Sequence, residues 1–535
     1  MPMRSFFSVL LRRCLLVAPA SQACRVISFS TIDTSRCFSS PAAPTSERVG
    51  LEIADEDPSS TPAGAPDDLR SRIFRLRFPK RSATVVIDKW IAEGRKATAP
   101  ELRKIARDLR RSQRFKHALE IFMWMESRNG FQASAADQAA KLDLIIKVDG
   151  IANAELHFEQ ISHRASQKAA SLPLLHSYVK QRELGKAEAL LAKINNMGFI
   201  VNPHPFNEIM KLYAATGQFK KVIYVVQHMK RNKVPLNVLS YNLWMNACGE
   251  VSDIASLEMT YKEMMVDKNV QPGWSTYCTL ANIYTRSSLV DKAFTALRIA
   301  ENKLSMTKRL GYSFVMTNYA ALGDKEGVLR LWELSKRVGG KIPCANYMSV
   351  ISCLVKLGEI PEAEGVFRTW ESQCWKYDIR VPNILLAAHM RNGWMDKVEL
   401  LLFHALKKGA NPNYKTWEIL MEGWVKSKQM EKAVEAMKKG LSMLKHCIWR
   451  PPPEILLAIA EQYKEFQNVD DAKRFVKVLR RLHLMNLHLY KSFVRMHIEA
   501  KRMTPNILKM MDRDGIEPDE EIRLLIKQIE SICTD

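Results

Sequence analysis

The sequence predicts an all-α protein, a right-handed superhelical solenoid assembled from helical hairpins of about 35 residues. Three observations predict it. The stretch from Lys341 to Trp370 reads as one complete hairpin: after Pro343 a helical run places Val350, Ile351, Leu354 and Val355 on one face, Gly358 stops it, and Pro361 opens a second run through Ala363, Val366, Phe367 and Trp370. A ladder of small or branched residues passes through Ala363, upstream to Val328, Ala293, Leu257, Val222, Ala187, Ala152 and Ala118, and downstream to Val398, Ala433 and Ala472. A second ladder marks the first helix with Phe206, Tyr241, Tyr277, Tyr312, Tyr347 and Trp417, and breaks at Pro382.

Two helices of about a dozen residues and two short turns fill such a period. One hairpin cannot bury its own apolar faces, whereas stacking between neighbours does. The small residues of the second helix are therefore expected where one repeat packs closely on the next.

From Met1 to about Ser46 the chain carries Arg4, Arg12, Arg13, Arg25 and Arg36 against the single acid Asp33. A basic, acid-poor leader whose apolar centre is split by Arg12 and Arg13 has the composition of an organelle transit peptide, and a mitochondrial destination is favoured over a chloroplast. Residues 47–68 are rich in Pro, Ser and acids without helical period, and are expected to form a disordered linker. From 69 to 132 basic helices are expected, with ELRKIARDLRRSQRFKHALEIFMWM as an atypical first repeat. The array then runs over 133–519, with units beginning near Ala133, Lys168, Pro203, Val238, Trp274, Arg309, Cys344, Ile379, Tyr414, Pro453 and Leu487. HCIWRPPP should break the helix preceding Pro453, and 520–535 should form one closing helix over the last repeat.

The chain has 80 Lys and Arg against 57 Asp and Glu, a net charge of +23. Up to Asp68 there are 6 basic and 8 acidic residues, which leaves 74 against 49, or +25, for the remainder. Such an excess suits a polyanion, with nucleic acid as the leading partner. No run of 18 apolar residues occurs, so no membrane insertion is expected. The ten cysteines form no CxxC pair and no cluster with histidine, which indicates neither a disulfide framework nor a zinc site.

The segments VLSYNLWMNACGEVSDIASLEMTYKEM, WSTYCTLANIYTRSSLVDKAFTAL and ANYMSVISCLVKLGEIPEAEGVF resemble pentatricopeptide repeats, and the likeness extends over most of the chain after Thr98. With the basic leader it resembles plant mitochondrial members of the all-repeat subclass. The resemblance implies binding of single-stranded mitochondrial RNA, one base per repeat, with consequences for RNA stability, processing or translation. Two side chains per repeat do the reading in that family. One follows the first-helix aromatic, and the other closes the repeat. Carried onto this sequence, Asn207 pairs with Asn237 and Asn383 with Asn413, combinations that favour pyrimidines in the family, while Asn242 keeps the first position opposite Gly273.

Other pairs depart from the pattern, among them Asp137 with Gln167, Leu172 with Asn202, Ser313 with Pro343 and Glu418 with Pro452. A good bidentate base contact is worth about 1 to 3 kcal/mol of discrimination, so two matching pairs cannot select one transcript. Affinity is then expected from charge, stacking or a place in a larger particle. A structural protein attached to the mitochondrial ribosome, with ribosomal or RNA-processing proteins as partners, is the alternative.

No enzyme activity, cofactor or metal is indicated. A zinc deaminase needs HxE together with PCxxC; His157 and Glu159 supply the first, but Pro343 and Cys344 are followed by Ala345, Asn346 and Tyr347, without the second cysteine.

Overall fold

The computed structural model describes residues 67–532 except 77–80, 129–130, 132, 199–201, 444–450, 467 and 503–505. The expected transit peptide lies outside the described residues, as do the expected linker up to residue 66 and the HCIWR of the helix-breaking segment. Asp67 and Asp68, read from composition as the end of that linker, stand just before the first helix, with Asp68 as its N-cap. The Asp68 carboxylate accepts from the Ser71 amide, and Asp67 takes Arg72 at 2.7 Å and Arg95 at 2.8 Å.

Among the described residues every regular element is a helix. After Leu69–Phe74 and Ala83–Ala92, one compact unit holds hairpins 1 to 6: Ala99–Arg111 with Phe115–Glu126, Ala135–Val148 with Ile151–Gln160, Arg164–Gln181 with Leu184–Asn196, His204–Ala215 with Phe219–Arg231, Val238–Glu250 with Ile254–Val266, and Trp274–Arg286 with Val290–Asn302. A second unit begins at Ser305 and holds hairpins 7 to 12: Leu310–Ala321 with Lys325–Arg337, Cys344–Leu357 with Ile360–Gln373, Arg380–Arg391 with Met395–Lys407, Tyr414–Lys426 with Met430–Ser442, Pro453–Glu465 with Val469–Arg481, and Leu487–Glu499 with Ile507–Arg513. The helix Glu520–Ile532 follows and packs on Leu487–Glu499. Within each unit, first helices pack side by side along most of the stack, and many second helices bridge their own first helix and the next one. This is the stacked-hairpin architecture that the spacing predicts.

The second-helix ladder explains the stacking. The fourth residue of that helix is fully buried at Ala118, Ala187, Val222, Leu257, Ala293, Val328, Ala363, Val398 and Ala433, and Ala472 is nearly so. One rung differs from expectation. Ala152 is exposed and Ala154 is buried, because the second helix of hairpin 2 begins at Ile151 and its fourth residue is Ala154. Counting steps of 35 misses by two there, since the packing follows the helix start rather than the average period.

Hairpin turns share one backbone feature. Gly358, with φ of 86°, ends the helix Cys344–Leu357 in the left-handed region. Gly217, Gly323 and Gly393 occupy the same place in hairpins 4, 7 and 9, while Arg182, Ser252, Ser288 and Lys428 adopt positive φ without being glycine. Pro382, where the aromatic ladder breaks, is the third residue of Arg380–Arg391. Proline is tolerated in a first turn because its missing N–H has no intrahelical acceptor, so the helix is uninterrupted. At Gly249 and Gly423 the neighbouring first helix leaves no room for a side chain. A Cβ at Gly249 would meet Ile283 Cγ2 at 2.7 Å, and one at Gly423 would collide with Met390.

The second helices are also joined by charge. Lys186 pairs with Glu155 at 2.7 Å, Lys221 with Glu188 at 3.1 Å, Lys292 with Glu258 at 2.5 Å, Lys397 with Glu364 at 3.0 Å and Lys432 with Glu399 at 2.6 Å. Each couples one hairpin to the one before it. Each of these lysines also lies over an aromatic ring of its own hairpin: Tyr178, Tyr213, Tyr284 and Trp424 in the first helix, and for Lys397 the ring of Trp394 at the N-cap of the second. No helix among the described residues is long and apolar enough to cross a membrane.

Candidate nucleic-acid interface

A first helix is packed on three sides by its neighbours. In His204–Ala215 the residues left open are His204, Pro205, Glu208, Lys211 and Ala215, which form a single stripe of the helix. Aligning all hairpins on the buried fourth residue of the second helix places equivalent residues in columns along each unit. The column at the C-terminal turn of the stripe reads Arg111, Lys147, Lys180, Ala215, Glu250 and Arg286 in the first unit. In the second it reads Ala321, Lys356, Arg391 and Lys426, at steps of 35, then Glu465.

Lys356, Arg391 and Lys426 are exposed on three consecutive hairpins. The protein packed around the Lys356 ammonium pushes its pKa below the ordinary value, and burial acts the same way on Arg391. These head groups reach water from a recess, where the surrounding low-dielectric wall strengthens their attraction for an anion. One turn before Lys426 sits Glu422. Burial raises it to about 7, with Glu418 and Glu454 adding to the rise and Lys415 and Lys426 opposing it.

In the first unit, hairpin 1 presents Lys104, Arg107 and Arg111, all exposed on one stripe. In hairpin 2, Asp143 lies between Lys147 at 2.5 Å and Arg110 at 2.7 Å. Burial works against its charge, but the two cations hold the carboxyl below its usual value. Lys180 of hairpin 3 is exposed. Further along, the cations are matched: Glu208 takes Lys211 and, at 3.2 Å, His176, and the buried Glu250 takes Arg286.

The amide pairs proposed from sequence are brought together. Asn207 is 1% exposed; its Nδ2 donates to Asn237 Oδ1 at 3.2 Å, and Ser240 Oγ donates to its Oδ1 at 2.8 Å. Asn237 is the N-cap of Val238–Glu250, its Oδ1 accepting from the Ser240 amide at 2.9 Å. Hairpin 9 repeats the arrangement: Asn383 Nδ2 donates to Asn413 Oδ1 at 3.4 Å, and Asn413 caps Tyr414–Lys426 by accepting from the Thr416 amide at 3.0 Å. Each pair is thus a hydrogen-bonded lock between consecutive first helices, with Asn237 and Asn413 half-buried. Asn242 is 4% exposed and reaches only Ser275 Oγ, at 3.5 Å. Asp137, which the spacing sets at the first reading position of a pair that departs from the family pattern, lies in a capping box with Ser134 and takes Arg103 at 2.7 Å. By hairpin register the equivalent of Asn207 in hairpin 2 is Ala139, the same two-residue slip as in the ladder.

The cation column escapes a reading that counts charge over the whole chain. Its signal is nonetheless in the sequence, eight residues after each of Leu172, Cys278, Met348, Asn383 and Glu418: Lys180, Arg286, Lys356, Arg391 and Lys426.

Residues 189–251 match the Pentatricopeptide repeat domain family, and residues 346–373 match the PPR repeat. A pentatricopeptide repeat-containing protein of Arabidopsis thaliana is 49% identical over 464 residues, covering 86% of this chain and 94% of the relative. Another from the same plant, named as mitochondrial, is 31% identical over 460 residues, covering 86% of this chain and 94% of its own length. Among solved structures, the pentatricopeptide repeat protein PPR10 from maize aligns with a TM-score of 0.42 at 15% identity, over 84% of this chain and 70% of that one. With hairpins of this period along both units and a relative of this identity over most of its length, the chain belongs to the pentatricopeptide repeat family.

Proposed function

We propose that this chain binds single-stranded RNA in the mitochondrion and, by occupying a transcript segment, acts in its stability, processing or translation. The observation that carries the reading is the column of exposed cations Lys356, Arg391 and Lys426, one per hairpin at constant spacing, on the open stripe of the first helices. A linear polyanion with one charge per residue is the ligand that such a column fits. Several relatives are named as mitochondrial, which supports the location that the basic leader suggests.

The amide locks of hairpins 4 and 9 carry what base preference there is in this reading, with Asn237 and Asn413 the members that retain exposure. Charge supplies most of the affinity. Binding of the purified protein to unstructured RNA, measured across a salt series, tests this: log K should fall linearly with log salt, and absence of binding at low salt would sink the proposal. Replacing Asn207→Ala together with Asn383→Ala should lower pyrimidine preference and leave the salt slope unchanged.

A further inference from the structure

We propose that the exposed face of Met395–Lys407, the second helix of hairpin 9, is a docking surface for a partner protein that presents an acidic amphipathic helix. The inference does not depend on the RNA-binding reading, which uses the first helices.

The second helices of the second unit keep charge where they face water. Counted five residues on from the buried ladder residue, hairpins 7, 8, 10 and 11 expose Glu333, Arg368, Lys438 and Lys477. Hairpin 9 breaks this column with Phe403, which is 66% exposed. Three residues earlier Leu400 is 68% exposed, and three residues later Leu406 is 44% exposed, so the three follow one another along one side of the helix. Leu400 stands where hairpins 10 and 11 expose Glu435 and Arg474. The same helix packs on the array through Val398 and Ala405, both fully buried, so its apolar outer side is additional to the core. Single apolar residues on a surface need no explanation, but three on successive turns leave a patch on the order of 300 Å², the size at which such patches serve binding.

Charge around the patch says what covers it. Arg368, Lys407, Lys408 and Lys438 are exposed, and none of them forms an ion pair among the described residues. Arg368 reaches along its helix: its Nη2 would be 3.9 Å from a Cβ at Gly365, the position that Leu400 takes one hairpin later. Neighbouring acids are already taken, Glu364 by Lys397 at 3.0 Å, Glu371 by His404 at 3.0 Å, Glu399 by Lys432 at 2.6 Å and Glu435 by Lys439 at 2.6 Å. The unpaired acids Asp396 and Glu431 stand in the first turns of their helices, whereas the four cations gather in the later turns. A partner that covers Leu400, Phe403 and Leu406 is therefore met by positive charge on both flanks, from hairpin 8 and from hairpin 10. Carboxylates beside its own apolar stripe gain most from that rim. A helix carrying apolar residues at i, i+3, i+4 and i+7 between glutamates has this chemistry.

Fluorescence anisotropy of a labelled amphipathic peptide of Leu and Glu, titrated with the full-length protein, tests this. The peptide should bind saturably, and the same peptide with Lys in place of Glu should bind about tenfold more weakly. Leu400→Ser with Phe403→Ser should weaken the Glu peptide about tenfold. Arg368→Gln, Lys407→Gln, Lys408→Gln and Lys438→Gln together should weaken it and flatten its dependence on salt. All six side chains are exposed, and thermal unfolding checks that both variants remain folded. No saturable binding, equal binding of the Lys peptide, or binding indifferent to Leu400 and Phe403 overturns the proposal. A dimer in sedimentation equilibrium that the Leu400→Ser, Phe403→Ser variant loses would make the face a contact between two copies of this chain. Displacement of the peptide by unstructured RNA would assign the four cations to the RNA site, and either of these results also overturns the proposal while leaving the RNA-binding reading intact.

Discussion

The second helices and the open stripe of the first helices use the same residue types at the same period to opposite ends. On the second helices, Lys186, Lys221, Lys292, Lys397 and Lys432 each meet a glutamate of the preceding hairpin, so the charge is spent on joining neighbours. On the stripe, Lys356, Arg391 and Lys426 are exposed on three consecutive hairpins. The difference teaches that net charge is a poor guide to function in a repeat protein. What matters is what the adjoining repeat sets against each cation: Arg286 stands in the same column as Lys356 and is answered by Glu250 of the preceding hairpin.

Breaking the stripe should have the largest effect. With about 0.7 counterions released per contacted phosphate of a single strand, Lys356→Ala, Arg391→Ala and Lys426→Ala together should lower the salt slope by about 2 and RNA affinity on the order of 100-fold at 0.1 M salt, about 2.7 kcal/mol. Fluorescence anisotropy over a salt series checks this, and a chain that keeps its slope would refute the role of the column.

Between the two layers, Asn237→Ala should destabilise the first unit by about 2 kcal/mol, read as a lower urea midpoint. It removes a helix N-cap worth about 1 kcal/mol and leaves the buried Asn207 amide short of an acceptor.

Glu422 sharpens the comparison through pH. Its folded pKa of about 7 lies above the ordinary 4.5, so the folded state holds a proton that the unfolded state has released. Stability contributed by the protonated form is full below 4.5 and is lost as pH rises through 7. Glu422→Gln should flatten that loss, by about 1 kcal/mol after solvent screening, and should strengthen RNA binding a few-fold at pH 8 by removing a negative charge beside Lys426. Urea unfolding and RNA titration at pH 5 and pH 8 measure both.

The smallest effect belongs to the second helices. Lys397→Ala with Lys432→Ala should cost less than about 1 kcal/mol for each exposed pair and should leave the salt slope of RNA binding unchanged. A large drop in that slope would mean that the second helices also touch RNA.

Much of this was legible in the residues. The ladder through Ala363 located the buried fourth position of almost every second helix, because only a small or compact residue fits where hairpins close on each other. It slipped at Ala152, where helix starts rather than mean spacing set the contact, and the slip carried into Asp137. The pairing of Asn207 with Asn237 and of Asn383 with Asn413 could be proposed from spacing. That each pair is bonded to itself could not, since it depends on Asn237 and Asn413 standing at the N-caps of the following helices.

By itself the sequence determined the hairpin period, the burial ladder and the sign of the charge, all of which are local or repetitive properties that a one-dimensional pattern can hold. Tertiary structure alone decided which lysines are answered by a neighbour's glutamate and which face solvent from a recess. That choice is made by contacts between residues 31 to 34 positions apart, and only the packing of one hairpin on the next fixes those distances.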